Sequence, residues 1–262
     1  MRLLAELWRR DRVLTSAGGV FAVLAALFVI AAAIDDRTVL GNNVWIKPLK
    51  FAVSIAIYLV TLAWLLGELP ATVKGQGLVR WGAVVAMVVE IACIAGQSAR
   101  GVGSHFNDAT PWDGAVFSLM GLMILFNTIL ELLLLTMFFR RGLSLPQAYL
   151  WGIRLGLASA VVSAGTGLIM IFHGAHTVGA SDGGPGLWLV NWSVEHGDLR
   201  AAHAASLHAL QILPAIGYVL SRTTRPTAAL VGTIGFALVY GSLTAWLLVE
   251  ALAGQPLRVT LA

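Results

Sequence analysis

Long apolar runs dominate this sequence and leave few folds open to it. Seven can be marked, at about 15–34, 44–66, 79–99, 113–138, 149–172, 200–220 and 228–251. Each is near 20 residues long, which is the length of an α-helix that crosses the hydrocarbon core of a bilayer. None alternates with a period of two, as the strands of a membrane barrel do. The runs predict an all-α, polytopic membrane protein with seven transmembrane helices.

The composition supports this interpretation. Apolar residues make up 58% of the 262 residues and charged residues only 11%, which excludes an ordinary water-soluble globule. The net charge of +4 is typical of a polytopic chain with basic cytoplasmic loops, and no aromatic-basic motif indicates nucleic acid. We therefore expect a single transmembrane domain over residues 1–262. Its expected partners are the lipid bilayer and a lipophilic small molecule, with no nucleic acid.

The basic residues also predict an orientation. Eleven of the seventeen Lys and Arg lie at the N-terminus or in the loops on the same side of the membrane. The positive-inside rule then puts the N-terminus in the cytoplasm and the C-terminus outside, and we expect a bacterial inner (plasma) membrane. In this topology all six histidines fall in the outer half of the membrane or in the outer loops. Such a cluster of titratable groups marks a candidate site.

The third run carries a polar face. Glu90, Gln97 and, if the helix continues, His105 are separated by steps that bring them to one side of a helix. Glu90 is expected near the bilayer centre, where an unpaired carboxylate is costly. We interpret its carboxyl group in one of two ways. It forms a structural hydrogen bond to a neighbouring helix, or it acts as a buried proton donor or acceptor.

Two other runs carry polar stripes. In the second, Lys50 and Tyr58 share a narrow arc with Lys47, and snorkelling to the headgroups is the alternative interpretation of the lysines. In the sixth, a broad face bears the residues Arg200, His203, His208, Gln211 and Pro214. Asp198 precedes it as either a helix N-cap or a second catalytic acid. His203 and His208 are five residues apart, a poor spacing for chelating one metal from one helix.

Hydrogen-bonding groups are also concentrated where the third run meets the outer loop. Arg100, His105 and Asn107 lie there, and we interpret them, with Gln97, as either a pocket wall or an ordinary surface loop. Trp45 and Trp192 fall at the same level, as part of either an aromatic belt or an aromatic-lined cavity. In the fourth run Asn127 and Glu131 are four residues apart, and they indicate helix–helix contact or a proton path.

Three functions fit these features. The first is an enzyme for a lipophilic substrate, with Glu90, Asp198 and His203 as catalytic residues. Its substrate-binding residues would be Lys50, Tyr58, Gln97, Arg100, His105, Asn107, His208, Gln211, Trp45 and Trp192. The second is a haem or metal protein that uses histidines from different helices, and the third is a small-solute transporter. No cofactor and no metal ligand is predicted, although haem or a divalent metal stays open. Because Cys93 is the single cysteine, the sequence has no disulfide framework and no cysteine-based zinc site.

The size, the seven-helix architecture and the pairing of Glu90 with Asp198 resemble the membrane-bound terpene cyclases of fungal meroterpenoid and indole-terpene pathways and their bacterial relatives. This resemblance implies protonation of an olefin or epoxide followed by ring closure, without a metal. The segments Trp45–Phe51, Arg100–Asn107 and Asp198–His203 also resemble those of uncharacterised bacterial integral membrane proteins. We therefore expect acid-initiated cyclisation or isomerisation of a prenyl-type lipid in a pocket open to the outer leaflet.

Overall fold

A computed structural model describes residues 2–257, and its main elements are α-helices. Eight occur in this range: α1 (Arg2–Arg10), α2 (Arg12–Ile34), α3 (Ile46–Leu66), α4 (Gln76–Arg100), α5 (Pro111–Phe138), α6 (Gln147–His173), α7 (Leu199–Thr223) and α8 (Pro226–Leu252). Two short antiparallel pairs complete the described elements, β1 (Thr38–Val39) with β2 (Asn42–Asn43) and β3 (Thr177–Val178) with β4 (Gly197–Asp198).

The all-α class and the seven long apolar helices are confirmed. Helices α2 to α8 are each long and apolar enough to cross a membrane. The chain packs as two compact units, Met1–Leu130 (unit 1) and Glu131–Ala262 (unit 2), and the border falls inside α5. The expectation of one domain over residues 1–262 stays a prediction, as does the orientation.

Unit 1 begins with the one helix that the sequence interpretation missed. In α1, Leu3, Leu4 and Trp8 lie on one face and are exposed, whereas Leu7 is buried. Arg10 attaches this short helix to α3. Its guanidinium donates a hydrogen bond to the Glu68 carboxylate at 2.8 Å and lies 4.0 Å from the centroid of the Trp64 ring. The helix is therefore amphipathic and attached to the end of a membrane span.

Asp11 separates α1 from the first span. Its carboxylate caps α2 by accepting the Leu14 amide at 3.0 Å and also pairs with Arg80 of α4 at 2.5 Å. Asp11 is 5% exposed, so both interactions are shielded from water. A capped start at this point sets where α2 begins.

Close helix packing organises unit 2. Glycines of α6 face the backbone of α7 at its internal proline, Pro214: a Cβ on Gly152 would lie 2.5 Å from the Leu213 carbonyl oxygen, and one on Gly156 2.8 Å from that of Ala209. Only glycine permits this approach, as in membrane helix pairs with small residues at their interface. Gly152 and Gly156 therefore serve close packing of α6 against α7.

The segment between α6 and α7 is internally bonded. β3 pairs with β4, and Gly186 bridges to Ser193. The Asp182 carboxylate accepts the backbone amides of His176 and Thr177 and the His176 Nδ1 at 2.8 Å. Burial opposes the charged form, but the His176 contact outweighs it and holds the pKa of Asp182 well below its ordinary value. This long loop between α6 and α7 therefore has a defined shape.

Candidate functional site

Glu90 of α4 is the most unusual polar residue in unit 1. It is 1% exposed, and neither carboxyl oxygen has a hydrogen-bond partner among the described residues. It lies 14 residues after Gln76 and 10 before Arg100, so about 21 Å and about 15 Å of helix separate it from the two ends. Native proteins rarely leave a buried polar group unsatisfied, and such a group calls for an explanation.

Lys47 lies within electrostatic range of Glu90 and also contacts a histidine. Lys47 of α3 interacts electrostatically with the Glu90 carboxyl, and its Nζ is 3.0 Å from the Nδ1 of His105. The Ser104 hydroxyl lies 3.1 Å from the same nitrogen. Lys47 was assigned to a polar stripe by the sequence, but its contact with His105 was not foreseen.

Three phenyl rings surround the His105 imidazole. The ring centroids of Phe51, Phe106 and Phe117 lie 5.8, 6.2 and 6.0 Å from that of His105. Phe117 lies on α5 and was not singled out from the sequence, because one aromatic residue in an apolar run is ordinary. The His105 imidazole is thus surrounded by aromatic rings, and the faces of such rings attract cations.

The predicted pocket wall after α4 is a closed hydrogen-bond network. Gln97 donates to Asp113 Oδ1 at 2.7 Å, and Arg100 donates to the same oxygen at 2.6 Å and to the Gln97 side-chain oxygen. Thr110 donates to the other carboxylate oxygen at 2.6 Å. Asp113 is 2% exposed and was missed by the sequence interpretation. The signal that could have found it is a Thr-x-x-Asp capping pattern at the start of α5.

The other predicted residues of unit 1 have structural contacts. Tyr58 donates to Asn127 at 3.0 Å, and Asn107 donates to the Gly103 carbonyl at 2.8 Å. Lys50 is half-buried. Trp45 donates from its indole nitrogen to Asp35 at 2.8 Å.

The Asp35 carboxylate is fixed by a second donor. Arg37 bonds it through Nε and Nη2, and these bonds, with that of Trp45, hold the pKa of Asp35 well below its ordinary value. Trp45 is therefore part of a polar contact where α2 ends and α3 begins. An aromatic belt alone does not require that contact.

In unit 2, Asp198 is the N-cap of α7, as one sequence interpretation proposed. Its Oδ1 accepts the Arg200 amide at 3.0 Å, and its Oδ2 accepts the Ser193 amide at 2.7 Å. The Arg200 guanidinium folds back on both oxygens, at 2.9 and 2.6 Å. Both oxygens of Asp198 are thus engaged, which favours its capping role over a role in proton transfer.

The histidines of α7 have different surroundings. His203 Nδ1 lies 2.9 Å from the Ser163 hydroxyl and 3.1 Å from the Ser163 carbonyl oxygen, so it joins α7 to α6. His208 is exposed, and its ring nitrogen is 3.4 Å from the half-buried Gln211. Trp192 is half-buried in the loop before α7. The buried face of α7 carries the small residues Ala202, Ser206, Ala209 and Gly217.

The predicted site residues thus fall into two groups. Glu90, Gln97, Arg100 and His105 belong to unit 1, and Asp198, His203 and His208 belong to unit 2. Unit 1 contains a buried acid without a hydrogen-bond partner among the described residues, a Lys–His pair and aromatic rings. Within residues 2–257, no three His, Cys, Asp or Glu side chains are arranged to hold a metal ion. No family model, no curated protein and no solved structure matches this chain.

Proposed function

We propose that this integral membrane protein is an enzyme that uses Glu90 to protonate a lipophilic, prenyl-type substrate and so starts its isomerisation or cyclisation. The proposal is carried by one observation, the buried Glu90 carboxyl without a hydrogen-bond partner. Among residues 2–257, no protein group accepts a hydrogen bond from this carboxyl, so a proton on it stays available for a substrate. The proposed setting is a bacterial plasma membrane with the substrate entering from the outer leaflet.

The proposed chemistry needs no co-reactant. The Glu90 proton forms a C–H bond with the electron pair of a substrate double bond, which leaves a carbocation and a carboxylate. A second double bond attacks the cation and closes a ring, or a neighbouring carbon loses a proton directly. The last proton lost returns to the Glu90 carboxylate, so the product is an isomer of the substrate. The acid is therefore regenerated in each cycle.

The aromatic cluster supports this proposal. Phe51, Phe106 and Phe117 lie around His105, and we propose that their rings stabilise a substrate cation without reacting with it, at about 0.5–2 kcal/mol for each contact. Lys47 interacts with Glu90, and a fixed positive charge there stabilises the carboxylate that forms as the proton leaves. Asp198 and His203 have structural partners, so the proposal rests on Glu90 alone as the acid.

The test is deuterium incorporation. Membranes containing the protein are incubated in D₂O with linear polyprenyl alcohols and polyprenyl diphosphates, and the products are analysed by mass spectrometry. Protonation of an alkene leaves one deuterium on carbon. We expect Glu90→Gln to lower this rate by about 10²–10⁴-fold, the usual contribution of a general acid, and Glu90→Asp to retain part of it.

Glu131→Gln is the matched control. Glu131 is also a buried intramembrane acid, at 6% exposure, but it has an interaction partner. Its variant is expected to keep the activity. Full activity of Glu90→Gln, or products that carry no deuterium on carbon, would refute the proposal.

The same carboxyl group favours one other candidate, a proton-coupled transporter of a small solute. A buried acid without a partner can bind and release a proton during transport. Gradient-driven uptake into proteoliposomes, abolished in Glu90→Gln and accompanied by no chemical change of the solute, would assign this function instead.

A further inference from the structure

A polar cleft lies in the loop between α6 and α7 of unit 2, whereas Glu90 belongs to unit 1. Its volume is about 380 Å³, within the range of small-ligand sites. The side chains that line it include Asp182, Asn191, Glu195, His196 and Arg200. The β3–β4 pair and the Gly186–Ser193 bridge hold its walls, so the cleft is built by ordered chain.

Two groups of opposite charge in this cleft have unused hydrogen-bonding capacity. Arg200 uses Nε and Nη2 for Asp198 and the Asn191 carbonyl, and its Nη1 has no partner among residues 2–257. In the same range, the Glu195 carboxylate has no partner either. A guanidinium nitrogen binds a phosphate oxygen, and a carboxylate binds a primary ammonium. Together they match a zwitterion that carries both groups.

The loop also has an apolar tip. Trp188 is 90% exposed and Leu189 is 46% exposed, between Pro185 and Trp192. The loop joins two spans, α6 and α7, so it lies at the membrane surface. Exposed Trp and Leu at this level insert into the headgroup region of a bilayer. An apolar tip on the loop that forms the cleft favours a lipid over a soluble ligand.

We propose that the cleft binds the phosphoethanolamine headgroup of a phospholipid, with the phosphate at Arg200 and the ammonium at Glu195. This site does not depend on the proposal for Glu90. The geometry explains a specific discrimination. A primary ammonium donates three hydrogen bonds, whereas the quaternary ammonium of choline donates none, so phosphatidylcholine forgoes the charge-assisted bond to Glu195.

The experiment uses the full chain purified in detergent and exchanged into nanodiscs of mixed phosphatidylethanolamine and phosphatidylcholine. Native mass spectrometry then counts the lipids that remain bound. We expect the protein to retain phosphatidylethanolamine over phosphatidylcholine by about two- to fivefold, because a charge-assisted bond to the exposed Glu195 contributes at most about 1 kcal/mol. Glu195→Gln is expected to remove this preference and Glu195→Asp to keep part of it.

Asp108→Asn is the matched control, because Asp108 is an exposed acid in another interhelical loop. It removes the same charge and is expected to keep the preference. The exposed Glu195 has no structural contact to lose, so its variants should fold normally, which unchanged thermal unfolding would verify. Equal retention of the two lipids, or a preference that persists in Glu195→Gln, would overturn the proposal. Calorimetric binding of soluble phosphoethanolamine without a lipid preference would overturn the lipid assignment.

Discussion

Replacing Glu90 with methionine should stabilise the protein while abolishing the proposed activity. The two carboxyl oxygens are buried without partners, so the folded state bears the cost of removing them from water. For an unpaired neutral polar group this cost is about 1–3 kcal/mol. Methionine has a similar length and no strong hydrogen-bonding group. The free energy of unfolding should therefore rise by about 1–3 kcal/mol in Glu90→Met.

Gln97→Met is the matched control on the same helix face. Gln97 is 2% exposed, as deeply buried as Glu90, but it donates to the Asp113 carboxylate at 2.7 Å. Its replacement removes a hydrogen bond to a charged group, worth about 1.5–3 kcal/mol. The same new residue should thus change the free energy of unfolding in opposite directions at positions 90 and 97.

The assay is unfolding by sodium dodecyl sulfate in mixed micelles, followed by circular dichroism, with the deuterium assay on the same preparations. A gain in stability accompanied by loss of activity is the signature of a residue kept for function at the expense of stability. If Glu90→Met is destabilised as much as Gln97→Met, the Glu90 carboxyl makes a structural hydrogen bond between helices. That result would refute the reasoning for Glu90.

Two further predictions concern unit 2. In α6, Gly152→Ala should be less stable than Gly165→Ala by about 1–3 kcal/mol in the same unfolding assay. The reason is that a Cβ at position 152 meets the α7 backbone, whereas one at position 165 meets nothing within 4 Å. Equal stabilities of the two variants would contradict the close packing. The lowered pKa of Asp182 means that its stabilising bonds are complete above the unfolded value of about 4 and are lost as pH falls through the folded value. In the unmodified protein, hydrogen exchange should therefore show the His176 and Thr177 amides protected down to about pH 4. In Asp182→Ala the same amides should exchange rapidly at neutral pH, and protection that survives in this variant would exclude the contact.

The membrane spans were predictable because a bilayer dictates their length and polarity. The sixth run, marked at about 200–220, corresponds to α7 at Leu199–Thr223, and the cap at Asp198 was also anticipated. Helix α1 was missed because nine residues are too few for an apolar run, and its basic residues were counted as a flank. The four-residue spacing of Leu3 with Leu7 and of Leu4 with Trp8, with charged residues beside them, is the amphipathic signal that could have found it.

The site was harder to predict because a polar arc on one helix does not reveal its neighbours. On α7 the histidine-bearing face was expected to line a pocket, whereas the buried face carries small residues such as Ala202 and Gly217. Membrane helices pack through small residues, since lipid already surrounds apolar side chains. Partners distant in sequence, such as Lys47 with His105 or Gln97 with Asp113, depend on loop paths that no local pattern encodes.

The attachment of α1 has a practical consequence for anyone who modifies this chain. Gly67 follows α3, and a Cβ there would lie 2.9 Å from the Cβ of Arg10, so the arginine stem occupies space that only a glycine leaves. Trimming the first ten residues would remove the ion pair of Glu68 with Arg10 and uncover Trp64. A shortened version would differ from the full chain inside unit 1, and reporters or purification handles are best joined upstream through a flexible spacer.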